Sequence, residues 1–427
     1  MYKKIYVPVD NSDYSNAAAE LAISLGKRFG AKLVGCHVYA AKMHDYRFKQ
    51  MEYTLPDEYI DEVELERQRK IHDSLITMGL QLISDSYLDV LSRRCGEESI
   101  AFERKMLDGK HHRELIRDVQ ESDYDLVVIG ALGMGAVKDS LIGSVCERTV
   151  RRTTTDTHVV KDLSILNRAA GETEAARPIL VGIDGSPQSF AALRTALALG
   201  RAFGRAVKAV AVYDPYLHYA MFNSIIDVLS EKASKVFRFK EQEQLHEEII
   251  DTGLAKIYQS HLEIAREIAK EDGVDLDATL LDGKAFDRML RIVRNEKPWL
   301  LVLGRIGVHS PEGETEMGSN AENLLRLAPC NILLTNRRFV PPLDVRAEEV
   351  ITWTDEAIAR MERAPSLVRG IARTAVLRFA IEQGNSVITS KVIDQAMSAF
   401  MPGGTQRAMG RAATELAIER VRDEETL

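Results

Sequence analysis

Cysteine is scarce in this chain: four in 427 residues, at Cys36, Cys95, Cys146 and Cys330, with no Cys-x-x-Cys pair. Neither a disulfide framework nor a cysteine-based zinc cluster can organise such a sequence. Long apolar runs are also missing, and none approaches the roughly 18 residues that a membrane-spanning helix needs. The opening MYKKIYVPVD enters a strand pattern at once and lacks the apolar stretch of a secretory signal. Positive charge is in deficit, with 56 basic against 64 acidic side chains and a net charge of −8. That gives no support for general binding to nucleic acid or an anionic membrane surface. What is left is a cytoplasmic globular protein, with an ordinary 45% apolar and 28% charged content. Its length exceeds what one hydrophobic core usually serves, so more than one domain is expected.

The stretch with most chemical content is GALGMGAVKDSLIGSV, Gly130 to Val145. It follows Leu126-Val127-Val128-Ile129, a continuous apolar run of the kind found in buried parallel strands. Glycine lets a backbone approach a ligand closely. The residues after Gly143-Ser144 have helical spacing, so a helix should open there. The start of a helix offers unpaired N–H groups and a positive dipole end, which suit phosphate.

The chain also repeats itself. KKIYVPVDNSDYS matches RPILVGIDGSPQS, pairing Asp10 with Asp184 and Ser12 with Ser186 at an offset of 174 residues. The same offset pairs Gly26 with Gly200, His72 with His246, the LDGK of Leu107–Lys110 with that of Leu281–Lys284, and Gly130 with Gly304. A chance similarity would drift, so the pattern points to duplication. Each copy alternates strand and helix, which implies a parallel sheet with helices on both faces. In copy one the strands are expected at Ile5–Val9, Lys32–Tyr39, Ser99–Met106, Asp125–Ile129 and Thr157–Val160. Ligands in such folds sit beyond the carboxyl ends of strands, where strand order reverses. Asp10 and Gly130 both lie at strand ends and can share one cleft.

Between strands two and three each copy carries an insertion of about 55–60 residues, longer than ordinary connections. Its first part (Tyr46–Tyr59; Tyr216–Val228) is rich in aromatics and methionine, and its second (Val63–Leu91; Lys235–Ala269) is a long amphipathic helix. Packing between the copies or against another subunit is the favoured reading over a lid. Residues 162–177 form a polar linker, and 337–346, with two prolines, a second boundary. From Thr352 the pattern becomes all-helical, with Thr352 or Thr354 as first N-cap, three short helices, and a fourth at 406–422 that forms a charged tail. The domains expected are thus 1–161, 178–336, 346–402 and the tail 403–427.

These residues resemble the universal stress protein family in its tandem form, over Lys3–Lys161 and Pro178–Thr335. In the ATP-binding members the pattern is Gly, two residues, Gly, nine residues, Gly-Ser/Thr, which Gly130, Gly133, Gly143 and Ser144 satisfy. The resemblance implies two doubly wound, five-stranded parallel-sheet α/β domains (HUP-type) plus a small all-α C-terminal domain. It implies an adenine and ribose pocket lined by Asp10 and Val38, with Val145 beside the phosphate loop. A carboxylate repels phosphate, so Asp10 should face a hydroxyl or amine. In copy two the corresponding candidates are Asp184, Val212, Gly304, Gly307, Gly318 and Ser319. There ten residues precede Gly318-Ser319, Asn320 replaces Val145, and Glu312, Glu314 and Glu316 stand where copy one has Lys138. Three carboxylates beside a polyphosphate are unfavourable without a metal, so copy two is read as binding weakly, binding something less charged, or serving structure only. Residues from Trp353 through the Ala364-Pro365 turn, Arg369, Arg373 and Ala380 to Ile388-Thr389 resemble the small helical domain at the end of one component of light-independent protochlorophyllide reductase. That enzyme's catalytic body has no counterpart here, so a docking role is what this likeness implies.

Other residues attract blander readings. His111-His112 reads as a solvated helix start, because copy two has Ala285-Phe286 there. His72 and His246 read as packing histidines. Cys146, near a helix start where thiol pKa can fall, reads as a small buried residue rather than a redox switch. Arg151-Arg152 and Arg337-Arg338 read as solvated or salt-bridged pairs. Ser144 has no Gly-x-Ser-x-Gly elbow to make it a nucleophile, and the His-x-Gly-His and Ser-Gly-Gly-x-Asp-Ser loops of related transferases and ligases are absent. The expectation is a regulatory stress-response protein that binds ATP or a related adenine nucleotide, with or without Mg²⁺, and hydrolyses it weakly at most. Assembly is expected as a homodimer or an intrachain pseudo-dimer, with a protein partner for the C-terminal helices as the alternative role.

Overall fold

A computed structural model of the chain describes residues 1–56, 59, 61–137, 140–166, 177–214, 251–310, 315–341, 352–364 and, with short gaps, 369–400. Copy one gives β1 (Lys4–Pro8), α1 (Asp13–Phe29), β2 (Lys32–Tyr39), α2 (Ala41–Met51), α3 (Glu62–Glu97), β3 (Phe102–Asp108), α4 (His111–Glu121), β4 (Leu126–Gly130), α5 (Ser144–Arg152) and β5 (Asp156–Val160). Copy two gives β6 (Ile179–Gly182), α6 (Pro187–Phe203), β7 (Val207–Tyr213), α7 (Asp251–Glu271), β8 (Asp277–Asp282), α8 (Ala285–Glu296), β9 (Leu300–Gly304), α9 (Ser319–Leu327) and β10 (Asn331–Thr335). The third strand starts at Phe102, three residues later than the sequence suggests.

The duplication is visible in the local chemistry of each copy. Ser12 caps α1 by accepting the Ser15 N–H, and Ser186 caps α6 through Ser189. The residue after each aspartate turns the chain in the left-handed region: Asn11 at φ 63° and Gly185 at φ 86°. Both helices stop at a left-handed glycine, Gly30 and Gly204, the usual C-terminal device.

The ten strands form one sheet in the order β3-β2-β1-β4-β5-β10-β9-β6-β7-β8. In copy one β1 runs parallel to β2 and β4, β2 to β3, and β4 to β5; in copy two β6 runs parallel to β7 and β9, and β9 to β10. Strands β5 and β10 meet antiparallel, with Val159 opposite Ile332, His158 opposite Leu333 and Thr157 opposite Leu334. The two copies therefore pair edge to edge inside one chain, and each covers the other's exposed strand edge. Strand order reverses between β1 and β4 in copy one and between β6 and β9 in copy two. One buried apolar cluster runs through both, including Tyr6, Val127 and Val159 with Leu180, Leu301 and Ile332.

The lengthened loop of copy two moves the offset to 175 beyond it, and in that register the seam is near two-fold. Arg151 pairs with Glu322 at 3.0 Å and Arg326 with Glu147 at 2.6 Å. Asn331 Oδ1 accepts the main-chain N–H groups of Lys161 (2.9 Å) and Asp162 (3.0 Å). Asp156, in the matching slot, accepts from Asn336 N–H (3.2 Å) and the Thr335 hydroxyl (2.8 Å) and pairs with Arg337 at 2.9 Å.

Among the described residues, the insertion of copy one packs on its own sheet and on α1. Ser84, Leu88, Leu91 and Cys95 of α3 are buried; Gly35 on β2 has no side chain, and a Cβ there would lie 3.1 Å from Leu91. Arg94 forks onto Glu20 of α1 at 3.0 and 2.9 Å. Residues 216–250, which hold His246 and most of the copy-two insertion, lie outside the described residues.

Residues 352–400 make a separate small core from Ala357, Met361, Leu377, Ala380, Ile388 and Ile393. Thr354 caps α10 (Asp355–Glu362), and α11 spans Ser390–Phe400. This piece is not all-helical. β11 (Thr352–Trp353) and β12 (Val387–Ile388) pair in parallel; two residues per strand are too few for any periodicity to register. The tail 403–427 lies outside the described residues.

Candidate functional site

The site of copy one is built on the turn from β1 into α1. Val9 donates its N–H to the Cys36 carbonyl (2.8 Å), which aligns β1 with β2, and Asp10 follows at the strand end. Asp10 Oδ1 accepts the Ser12 N–H (3.1 Å) and lies 2.6 Å from the Ser12 hydroxyl; Oδ2 accepts the Met134 N–H (3.2 Å). The carboxylate therefore clamps the glycine loop to the end of β1. An ionised carboxylate has about four acceptor positions, so one remains for a ligand hydroxyl or amine. β2 runs past its last pair with β1, Pro8 with Cys36, so the β1-facing edge at Val38 is no longer covered by that strand. The Val38 side chain itself is buried.

The three glycines do different work. A Cβ at Gly130 would lie 2.6 Å from the Tyr14 carbonyl carbon and 2.8 Å from Ser15 N. One at Gly133 would lie 2.5 Å from Asp10 Oδ2. Both glycines thus serve the close approach of loop to α1 and Asp10. At Gly143 the nearest atom would be the Ala131 carbonyl oxygen at 3.3 Å, which a small shift relieves. Gly143 N–H donates to that oxygen (2.7 Å), and Gly143 is the N-cap of α5, with no side chain capping the helix. Ser144 is exposed and Val145 turns into the core. The first turn of α5 therefore opens uncapped beside the loop, where α1 by contrast is capped by Ser12. Lys138 lies outside the described residues.

Copy two repeats the front of this arrangement. Asp184 Oδ1 accepts from Ser186 N–H (3.0 Å) and hydroxyl (2.6 Å), and Oδ2 from Val308 N–H (3.0 Å). A Cβ at Gly307 would lie 2.9 Å from Asp184 Oδ2, and one at Gly304 2.9 Å from Gln188 Cβ. Gly318 N–H donates to the Arg305 carbonyl at 3.0 Å, and Ser319 opens α9. Val212 is buried beyond the last β6–β7 pair, Gly182 with Val210. The copies differ further along: Glu316 and Asn320 are exposed before and within α9, while Glu312 and Glu314 lie outside the described residues.

With this geometry in view, residues 1–161 and 175–336, more than half of the chain, match the universal stress protein family. The chain belongs to that family. Residues 353–396 match the family described as the proto-chlorophyllide reductase 57 kD subunit. A universal stress protein of Methanocaldococcus jannaschii is 26% identical over 161 residues, 38% of this chain and 83% of that one. The crystal structure of a universal stress protein from Archaeoglobus fulgidus covers 78% of this chain and 97% of its own, at 16% identity and a TM-score of 0.47. A universal stress protein solved in complex with cAMP covers 37% of this chain and 96% of its own, at 20% identity and a TM-score of 0.25.

In this tandem universal stress protein all four cysteines are buried packing residues. Burial pushes the thiols of Cys36, Cys146 and Cys330 up to about 12 and that of Cys95 to about 11. His72 stacks on Phe48 with ring centroids 4.1 Å apart. The solvated reading of His111-His112 holds only for His111. His112 is 7% exposed; burial lowers its pKa, with Arg148 and other cations adding to the effect. Two adjacent histidines at a helix start point in different directions, and sequence alone does not say which one faces inward. Arg151 forms the pair across the seam, and Arg337 is held by Asp156 and lies over the Tyr2 ring at 4.7 Å. Sequence reasoning missed Ser12 as the partner of Asp10, and it missed Arg305 and Lys161, which reach across the seam. No helix among the described residues is long and apolar enough to cross a membrane.

Proposed function

We propose that this universal stress protein binds ATP or a related adenine nucleotide in copy one, as a regulatory stress-response protein. The observation that carries the reading is the uncapped start of α5, which opens next to the loop that Gly130 brings against the backbone at Tyr14 and Gly133 against the Asp10 carboxylate. The phosphates would meet the N–H groups of Ser144 and Val145 and the Ser144 hydroxyl, helped by the positive end of the helix dipole. The last free position on Asp10 and the open edge at Val38 suit the ribose and adenine. A nucleotide that prefers one conformation of the loop shifts the chain toward it, which suffices for regulation without turnover.

Native mass spectrometry of the purified chain tests this. The expected result is a bound adenine nucleotide, or one taken up on addition of ATP, that is lost in Gly143→Leu. A chain that takes up none, or a variant that binds as the parent does, contradicts the proposal.

A further inference from the structure

We propose that Arg305 of copy two is a positioning residue for the nucleotide site of copy one, so that copy two regulates that site through the seam. The inference rests on the nucleotide reading above and extends it. Arg305 follows Gly304 at the root of the copy-two loop. Its N–H donates to the Thr335 carbonyl (2.8 Å) and its carbonyl holds Gly318 N–H (3.0 Å). Both bonds have direct counterparts at Ala131, to Val160 and from Gly143. The side chains differ. Ala131 ends at a methyl group, whereas Arg305, 3% exposed, crosses the seam and donates from Nη1 to the Val150 carbonyl and from Nη2 to the Arg151 carbonyl, each at 2.5 Å. Those carbonyls belong to the last turn of α5.

A helix leaves its last carbonyls unpaired, and a cation there also meets the negative end of the dipole. α5 has nine residues, so its last turn and its phosphate-facing first turn are close neighbours. An arginine fork at the C-terminal end therefore fixes where the N-terminal N–H groups stand. The return contact has a different origin: Lys161, after β5, donates from Nζ to the Leu325 (2.5 Å) and Ala328 (2.8 Å) carbonyls at the end of α9. Each loop-opening helix is thus held at its far end by a cation from the other copy. Only Arg305 is itself part of a glycine loop, which makes the link from copy two to copy one the direct one. Movement of the copy-two loop carries the guanidinium, and with it α5.

Calorimetric titration of the full chain with ATP, well below its unfolding temperature, tests the link. R305M should raise the Kd of the Gly143-dependent site about 5-fold or more, the low end of site-to-site coupling. R305K, which retains a cation but not the fork, should recover part of the loss. Gly307→Val, placed in the copy-two loop, should weaken the same site several-fold in the parent chain and add nothing in R305M. A residue with only a structural role would lower the unfolding temperature and leave the Kd of the folded chain unchanged. Parent-like affinity in R305M, or equal effects of Gly307→Val in both backgrounds, would overturn this inference while leaving the nucleotide reading in place. No heat from the parent chain would overturn both.

Discussion

Copy one and copy two share a fold, a turn and an aspartate clamp, and they part at the residues that a ligand or the other copy would feel. Asp10 with Met134 and Asp184 with Val308 make the same contact to within 0.2 Å (3.2 against 3.0 Å). Across the seam Arg151–Glu322 and Arg326–Glu147 mirror each other. Against that symmetry stand Ala131 where copy two has Arg305, Lys161 where it has Asn336, His158 where it has Leu333, and an acidic, longer loop in copy two. What duplication preserves is the backbone scaffold of a site. What has diverged is loop charge and the side chains that tie one site to the other.

The largest effect expected from breaking this comparison is at His158. It lies in the middle of β5, opposite Leu333, fully buried, and neither ring nitrogen has a hydrogen-bond partner. Burial pushes its pKa down to about 3, whereas in the unfolded chain it should titrate near ~6.5. Between those values the unfolded chain binds the extra proton. The contribution is therefore intact above about pH 6.5 and is lost as pH falls toward 3, by on the order of 4 kcal/mol. His158→Leu, which copies the residue of copy two, should flatten this acid limb in denaturant melts from pH 7 to 4; an unchanged slope contradicts the assignment.

Next comes the matched pair of loop variants. Gly133→Val forces a branched side chain against Asp10 and should weaken ATP binding about 100-fold, the upper end of overpacking strain. Gly307→Val, against Asp184, should cost far less in the same titration. Equal losses would mean that the two loops are not functionally distinct.

A smaller effect is expected at Asp156, because copy two fills the same slot with Asn331. Asp156→Asn keeps an acceptor for Asn336 and Thr335 and loses the ion pair to a half-exposed Arg337. Unfolding in urea should show a loss of about 1.5–3 kcal/mol, the range of one hydrogen bond to a charged group. A loss above about 3 kcal/mol would show that the seam depends on the buried charge itself. The smallest effect is Ser144→Ala, which removes one hydroxyl from the uncapped turn and should raise the ATP Kd about 2- to 10-fold, one net hydrogen bond. No change there would put the phosphates elsewhere.

Much of this was legible in the sequence. The constant offset fixes two copies, the apolar run at Leu126–Ile129 fixes a buried parallel strand, and the Gly130, Gly133, Gly143 spacing marks the loop. The tasks of those glycines were less visible, because Gly130 is required by the backbone at Tyr14 and Gly133 by the carboxylate of Asp10. Spacing cannot separate closeness to a ligand from closeness to the protein itself. Arg305 and Lys161 were invisible for a related reason: each acts on a helix more than 150 residues away in sequence. The seam that brings them together follows from which strand ends at each sheet edge, not from any local pattern. The β11–β12 ribbon escaped because each strand has two residues.

The most direct measurement of the central claim, a competent site in copy one and an altered one in copy two, is the stoichiometry of ATP binding by calorimetry. About one ATP per chain is expected, abolished by Gly143→Leu and retained in weakened form by Gly318→Leu. Two equivalent sites, or binding abolished by Gly318→Leu and untouched by Gly143→Leu, would contradict it.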